Sequence, residues 1–446
     1  MITQGQRKVS FFLYAMLLLT ILLLILVHIY FSFSKTNSET FKSSNIFITL
    51  NGPWKFKTGD SLQWAYSNFN DAEWENVDFT APPGARDDDV GLSGFVPGWT
   101  KKGHQNYSGY AWYRLNVSLD SVKGREMALV APPAVDDTYQ LFINGSLLGS
   151  AGDFSGTVPV VYSIQPRMYL LPDSLIREKN ITIAFRVWMS AGSLGQGPDL
   201  GGIHIAPVLG EKNKVEVKYG VQWSQTIKGY IVEVVEPVVF FLLAISMLLL
   251  YRSKKIIKQC KWFILALIFL GLIRLNQAVY YWWQIESSHA SAILTTFILR
   301  PIILGCWLMA WREWFELDKP KWLPIAIFIV TLIYMTTGLL GLSWISGSIT
   351  HIPYQAIANY SRYIFIALLL FVTIKGTIKK DSRDILTVFA IIVLSIGLFA
   401  REYSLLNIIP GIWFPYGVGV SRSQYAYAVF VIVMYVILIK RNKQFL

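Results

Sequence analysis

Eight long apolar stretches dominate the chain, and a mixed segment over residues 34–227 separates the first from the other seven. The first runs from Phe11 to about Phe33, behind Arg7 and Lys8. The others cover about 229–251, 262–283, 291–311, 322–345, 355–374, 385–407 and 423–439. Each approaches or exceeds the ~20 residues a helix needs to cross a bilayer core, so the pattern predicts eight membrane spans. The first exceeds the ~7–15 apolar residues of a cleaved signal and has no small-residue cleavage site before Lys35, so it reads as a signal-anchor.

The mixed segment has a different period. Ile181, Ile183, Phe185 and Val187 alternate with a mixed second face, the signature of a strand. Tyr139 to Ile143 ends at Asn144-Gly145 and resumes at Leu147, which reads as a hairpin. Pro82-Pro83-Gly84, Pro97-Gly98 and Pro132-Pro133 punctuate the rest, and no long amphipathic helical repeat appears. One antiparallel β-sandwich over about 45–215 is expected. The predicted architecture is therefore an anchor with a short cytoplasmic N-terminus (1–34), an extracytoplasmic β-sandwich (45–215), a seven-helix transmembrane domain (228–440) and a short tail (441–446).

Composition sharpens this. Of 446 residues, 53% are hydrophobic and only 15% charged, against about 25% charged in soluble domains. That excludes both a simple soluble protein and a largely disordered one. The net charge of +12 would suggest nucleic acid in a soluble chain, but its distribution does not. Residues 34–227 carry 17 basic and 19 acidic side chains, whereas 228–446 carry 21 and 9. Alternate loops hold Arg252, Lys254, Lys255, Lys258 and Lys261; Arg312, Lys319 and Lys321; and Lys375, Lys379, Lys380 and Arg383. The loops between them, 284–290, 346–354 and 408–421, hold no Lys or Arg. The positive-inside rule then puts both termini in the cytoplasm and 34–227 outside, with the basic loops serving topology and anionic lipid contact rather than nucleic acid. Cys260 and Cys306 lie outside the β segment and make no disulfide framework, and the five His show no ligand spacing. No metal or cofactor is expected. Asp87-Asp88-Asp89 reads as a solvated loop, with a calcium site as the alternative.

The β segment also carries a resemblance. Asn51-Gly-Pro-Trp54, Gly59-Asp60, Trp64, Asn70-Asp71 and Trp74 resemble the opening of a galactose-binding-like jelly roll, the sugar-binding domain of family 2 glycoside hydrolases. Gly109-Tyr-Ala-Trp112-Tyr113-Arg114, Asp136 to Gly149 and Ile181 to Trp188 are similar to its later strands. The resemblance implies a jelly roll that binds carbohydrate. The catalytic carboxylates of those hydrolases lie on a separate barrel of about 250 residues, and after residue 215 this sequence passes into apolar spans, so no catalytic residues are assigned. Sugars stack on aromatic rings and need fixed polar partners. The loop Gly94–Tyr113 offers Trp99, His104 and Tyr107, and the Gly-rich loop Ser190–Gly202 offers Gln196 and Asp199. Both flank strands and are expected to meet at one rim. Core packing is the competing role of Trp99 and Tyr107, and the expected one for Trp112 and Tyr113.

Anchor, outer β domain and seven helices together resemble the bacterial seven-transmembrane receptors with diverse intracellular signalling modules. The resemblance implies a receptor in the bacterial cytoplasmic membrane that binds a saccharide or cell-envelope ligand outside and passes the signal to a cytoplasmic partner. A cyclase, phosphatase or kinase module usually follows in that family; here only Gln444, Phe445 and Leu446 follow Lys443, leaving open a separate output partner, a fragment of a longer chain or a degenerate member. Inside the spans, Glu233, Glu236, Arg274, Asn276, Arg300, Arg362, Arg401 and Glu402 are costly residues that default to functional candidates. Mutual pairing that ties helices together is the alternative. Pro237 and Pro301 would kink or locally break helices and free backbone carbonyls beside these charges. Two further functions stay open: an assembly subunit of an envelope or polysaccharide system, and a transporter or membrane enzyme for an anionic or lipid-linked substrate.

Overall fold

A computed structural model describes residues 4–38, 47–87, 90–119, 126–176, 180–193, 199–250, 254–346, 350–379, 385–408 and 422–444. The chain divides into two compact units. One comprises Phe41–Gly229 with Tyr280–His289; the other comprises Met1–Thr40, Tyr230–Val279 and Ala290–Leu446.

The first unit is a sandwich of two antiparallel sheets. Its strands are β1 (Phe47–Thr49), β2 (Trp54–Thr58), β3 (Glu75–Val77), β4 (Gly109–Ser118), β5 (Met127–Val130), β6 (Val135–Asp136), β7 (Thr138–Ile143), β8 (Ser146–Ser150), β9 (Met168–Leu170), β10 (Asn180–Met189), β11 (Gly202–Ile203) and β12 (Val208–Glu211). The larger sheet has the order β3-β2-β4-β10-β7-β8, the smaller β1-β12-β5-β9, and β11 pairs with β6. The central pair, β4 and β10, is in register from Gly109↔Met189 to Ser118↔Asn180. The alternation read from the sequence is realised: Ile181, Ile183, Phe185 and Val187 are buried in the core between the sheets. Asn144 and Gly145 both have positive φ (49° and 88°), the twist that lets β7 turn tightly into β8.

The opposite face of β10 is not left open to water. Trp64, Phe69, Trp74, Trp112 and Phe142 form a second, smaller aromatic cluster over it with Ala65 and Ala184. The segment before β3 is pulled down by Arg114, whose guanidinium donates to Asp71 Oδ2 at 2.7 Å and to the carbonyls of Trp64, Tyr66 and Phe69. The segment Tyr280–His289 also belongs to this unit. Ser163 donates to the Tyr280 carbonyl at 2.7 Å, Gln165 to Tyr281 at 3.1 Å and Arg167 to Gln284 Oε1 at 2.7 Å.

The helices are α1 (Gln4–Ser38), the short α2 (Asp173–Ile176) of the sandwich, α3 (Lys212–Leu250), α4 (Lys254–Trp282), α5 (Ser288–Ala292), α6 (Arg300–Trp314), α7 (Trp322–Leu340), α8 (Ser343–Ser346), α9 (His351–Lys379), α10 (Ile385–Leu398), α11 (Ala400–Leu405) and α12 (Arg422–Gln444). Among the described residues six stretches are long and apolar enough to cross a membrane: Lys212–Leu249, Cys260–Trp282, Ser288–Trp314, Trp322–Leu340, His351–Lys379 and Ser423–Asn442. The two other expected spans contain shorter apolar helices, Phe11–Val27 and Ile385–Leu398. The second of these is short because the helix breaks at Phe399 before α11 begins. Pro237 is accommodated inside the continuous α3, whereas Pro301 follows a π-helical segment, Ile293–Leu299. The wider turn absorbs a residue whose ring cannot donate to the preceding helix.

Candidate functional site

The two loops singled out in the sequence meet. Trp99 and Thr100 donate backbone N–H groups to Gly201 and Leu200 at 2.9 and 3.1 Å, and Asp199 Oδ1 accepts from Gly98 N at 2.6 Å. Asp199 thus pins one loop to the other. Trp99 is the plug between them. It is 2% exposed, donates from Nε1 to the Tyr107 carbonyl at 3.1 Å and lies against Gly201. A Cβ at Gly201, where φ is +89°, would sit 2.3 Å from the indole ring, so only glycine allows this approach. Tyr107 is equally committed to the framework: its hydroxyl accepts from Gly59 N at 2.8 Å and donates to the Tyr110 carbonyl. Gln196 lies outside the described residues, as do Asp88 and Asp89. Asp87 accepts backbone N–H groups from Val90 and Leu92 and so shapes its own loop.

A groove of about 210 Å³ opens where these loops adjoin the edge of the larger sheet. Phe56, Trp99 and Tyr113 form its floor, with the Phe56 and Tyr113 ring centroids 4.8 Å apart. Glu75, Asn76, Asp78, Lys102 and His104 form its polar rim. His104 Nε2 lies 3.1 Å from Glu75 Oε2. Burial lowers the Lys102 pKa from its ordinary value, against the pull of Asp199 and Asp78. Its ammonium donates to the Asp78 carbonyl at 3.4 Å and sits 5.6 Å from the Phe79 ring centre. Of the candidate residues, His104 and Trp99 line the groove and Asp199 positions it. The rim carboxylates of Glu75 and Asp78 were missed. Glu75 opens the short edge strand β3 and Asp78 follows it directly, and that strand follows the Asn70–Trp74 motif without a signal of its own.

Beside the loops lies a buried charge network that no sequence pattern announced. His204 is stacked on Phe95 at 4.7 Å, with Nδ1 2.9 Å from the Val96 carbonyl and Nε2 3.0 Å from Asp136 Oδ2. Both ring nitrogens face acceptors, an arrangement that suits the imidazolium. Burial opposes that charge, but the Asp136 carboxylate, the Val96 carbonyl and Asp199 together outweigh it and raise the His204 pKa. Asp137 accepts from Ser190 N at 2.8 Å and Ser193 Oγ at 2.9 Å, yet burial pushes its carboxyl up to about 6. Both groups have folded pKa values above their unfolded ones. The stability they contribute is present at low pH and lost as pH rises, for Asp137 between its ordinary 3.8 and about 6. That loss is worth about 3 kcal/mol above pH 7. Asp137→Asn, which keeps an acceptor for Ser190 and cannot ionise, is therefore expected to unfold at higher temperature than the wild type at pH 7.5 and level with it near pH 4. Equal pH profiles for the two full-length proteins in detergent would refute the assignment.

The helical unit gathers the other candidates. Arg274 donates from Nη1 to Glu233 at 3.0 Å and to Gln277 at 3.1 Å, and its Nε lies 3.2 Å from Glu236 Oε2. Gln424 donates to the same Glu233 oxygen at 3.0 Å. Arg362 grips Glu402 with two nitrogens, Nη2 at 2.8 Å, and donates to Tyr334 Oη at 3.2 Å and to the Leu398 carbonyl at 3.1 Å. The last contact satisfies a carbonyl at the broken end of α10. Arg274, Arg300, Arg362 and Arg401 all line one cavity of about 230 Å³. Asn276 is half-buried on α4 and stands apart from that lining.

No family model matches the chain, and no curated protein matches it. Solved structures similar to part of it are family 2 glycosidases. A calcium-binding mutant of Bacteroides uniformis β-glucuronidase 2 is 22% identical over 36% of this chain and 17% of its own, with a TM-score of 0.26. A glycosyl hydrolase family 2 member from Bacteroides cellulosilyticus is 16% identical over 37% and 20%, with a TM-score of 0.25. A β-glycosidase from Bacteroides vulgatus is 20% identical over 37% and 20%, also at 0.25. The matched region spans a fifth or less of those enzymes' own lengths.

Proposed function

We propose that the protein is a receptor-like protein of the bacterial cytoplasmic membrane that binds a saccharide or saccharide-bearing envelope component in the groove beside β3 and relays occupancy through its helices to a cytoplasmic partner. The observation that carries this is the groove itself. Its aromatic floor and its rim of two carboxylates, an amide, an ammonium and an imidazole are the donor and acceptor set a small polyhydroxylated ring needs. Its size suits one sugar unit rather than a long chain. The inner-facing basic loops and the lysine-free segment Tyr280–His289, which packs with the sandwich, support both termini being cytoplasmic and the sandwich extracytoplasmic.

The test is calorimetric titration of the detergent-solubilised full chain with a panel of neutral, amino and acidic monosaccharides and short oligosaccharides. At least one is expected to bind, and His104→Ala and Lys102→Met are each expected to weaken it about tenfold, the loss of one polar contact to a charged or aromatic-supported donor. Absence of binding across the panel, or binding indifferent to both substitutions, would overturn the reading.

A further inference from the structure

We propose that the cavity in the helical unit is a binding site for a phosphate group, held by Arg300 and Arg401. Its charges are unevenly distributed, and the site is independent of the sugar groove. Four arginines line the cavity. The three carboxylates of the cluster do not line it: Glu233 and Glu236 stand on Arg274, and Glu402 on Arg362, with Glu402 4% exposed. Two arginines are therefore spent on protein partners. Arg300 and Arg401 line the cavity with no carboxylate within ion-pair distance among the described residues, and both residues are exposed.

An uncompensated guanidinium in an apolar helical bundle is expensive. Arg300 and Arg401 border one space together with the paired Arg274 and Arg362, whose carboxylates stand outside the lining, so the wall of the cavity is cationic. A space so lined stabilises an anion. Arginine's planar fork presents paired N–H donors that match phosphate oxygens, and Tyr427, Ser423 and Gln277 add polar groups to the same wall. The remaining lining is apolar, chiefly Leu270, Ile273, Ile303, Leu304 and Leu398 with Gly397 and Ala400. It suits the hydrocarbon or ester portion adjoining a phosphate. The ligand class is thus a phosphate monoester or diester, whose source is either an anionic phospholipid headgroup or a free phosphate.

The experiment uses the full-length protein. In one arm it is reconstituted in nanodiscs of phosphatidylcholine with or without phosphatidylglycerol, and retained lipid is counted by native mass spectrometry after release into detergent. In the other arm the delipidated protein is titrated with inorganic phosphate. Retention of phosphatidylglycerol over phosphatidylcholine identifies a lipid source, and saturable phosphate binding a soluble one. Arg300→Gln and Arg401→Gln are each expected to weaken the binding seen about 10- to 100-fold, the range for losing a charge-assisted contact. Arg300→Lys, which keeps the charge without the fork, is expected to fall between Arg300→Gln and wild type, and it stands in if the Gln variant does not fold. Neither probe binding, or binding unaltered in both folded Arg401→Gln and Arg300→Lys, overturns the proposal.

Discussion

Arg114→Met is expected to cost the sandwich about 3–5 kcal/mol, the penalty for stripping one partner from a buried charge pair. The arginine sits in the middle of β4 and is 1% exposed. Its guanidinium reaches Asp71 Oδ2 at 2.7 Å and the Tyr66 and Phe69 carbonyls at 3.1 and 3.4 Å, and it also donates to the Trp64 carbonyl. Its charge stacks 5.5 and 5.9 Å from the Phe69 and Trp74 ring centres. Methionine fills much of the stem volume but leaves Asp71 and three carbonyls without their donor. Arg114→Lys preserves the charge, but a single ammonium cannot reach all four acceptors at once, so it should recover only part of the loss. The segment tied down by these contacts leads directly into β3, which carries Glu75 and Asn76 of the groove rim. Hydrogen–deuterium exchange of the full-length protein should therefore show the stretch 62–77 losing protection first, and sugar binding should fall with it. Unchanged protection of 62–77 in Arg114→Met would show that the aromatic cluster alone holds the segment.

How much of this was legible beforehand depended on whether a signal was local. The β10 alternation and the Asn144-Gly145 turn are local: side-chain period and positive φ are properties of consecutive residues, and both were read directly. The apolar runs were equally legible in kind, although the break at Phe399 was not: Gly397 precedes it, but a single glycine inside an apolar run does not by itself end a helix. The site was harder. Trp99 reads equally as a stacking surface or as core packing, because exposed and plugged tryptophans have the same letter. Only Gly201, about a hundred residues away, decides that the ring is buried. His204 seemed one of five scattered histidines, and its partners at Val96 and Asp136 lie 108 and 68 positions away. The charges within the apolar runs stand out in the sequence as costly, but which arginine answers which glutamate depends on helix packing that residue spacing does not contain. Pairing separates them into two groups with different expected behaviour.

That separation gives the second large effect. Arg362→Leu is expected to destabilise the helical unit by about 3–5 kcal/mol, because it strands Glu402, 4% exposed, without the guanidinium that grips it. Arg362 is more than a counter-ion. Its Nη2 also satisfies the Leu398 carbonyl at 3.1 Å where α10 breaks, and its Nη1 meets Tyr334 Oη at 3.2 Å, so one side chain on α9 joins α7, α10 and α11. A charge retained only for pairing can be removed in company: a buried ion pair replaced by apolar residues is often neutral, whereas half of it is not. The double variant Arg362→Leu/Glu402→Leu should therefore regain at least half of what the single variant loses, short of full recovery because the Leu398 carbonyl stays uncapped. Thermal unfolding in detergent and abundance in the membrane both read this. Arg300→Gln, by contrast, should leave the unfolding midpoint of the delipidated protein near wild type, since no carboxylate depends on it. If Arg362→Leu proved as stable as wild type, or if the double variant were the worse of the two, the pairing would not be what ties these helices together, and Arg362 would rejoin Arg300 as a residue kept for what enters the cavity.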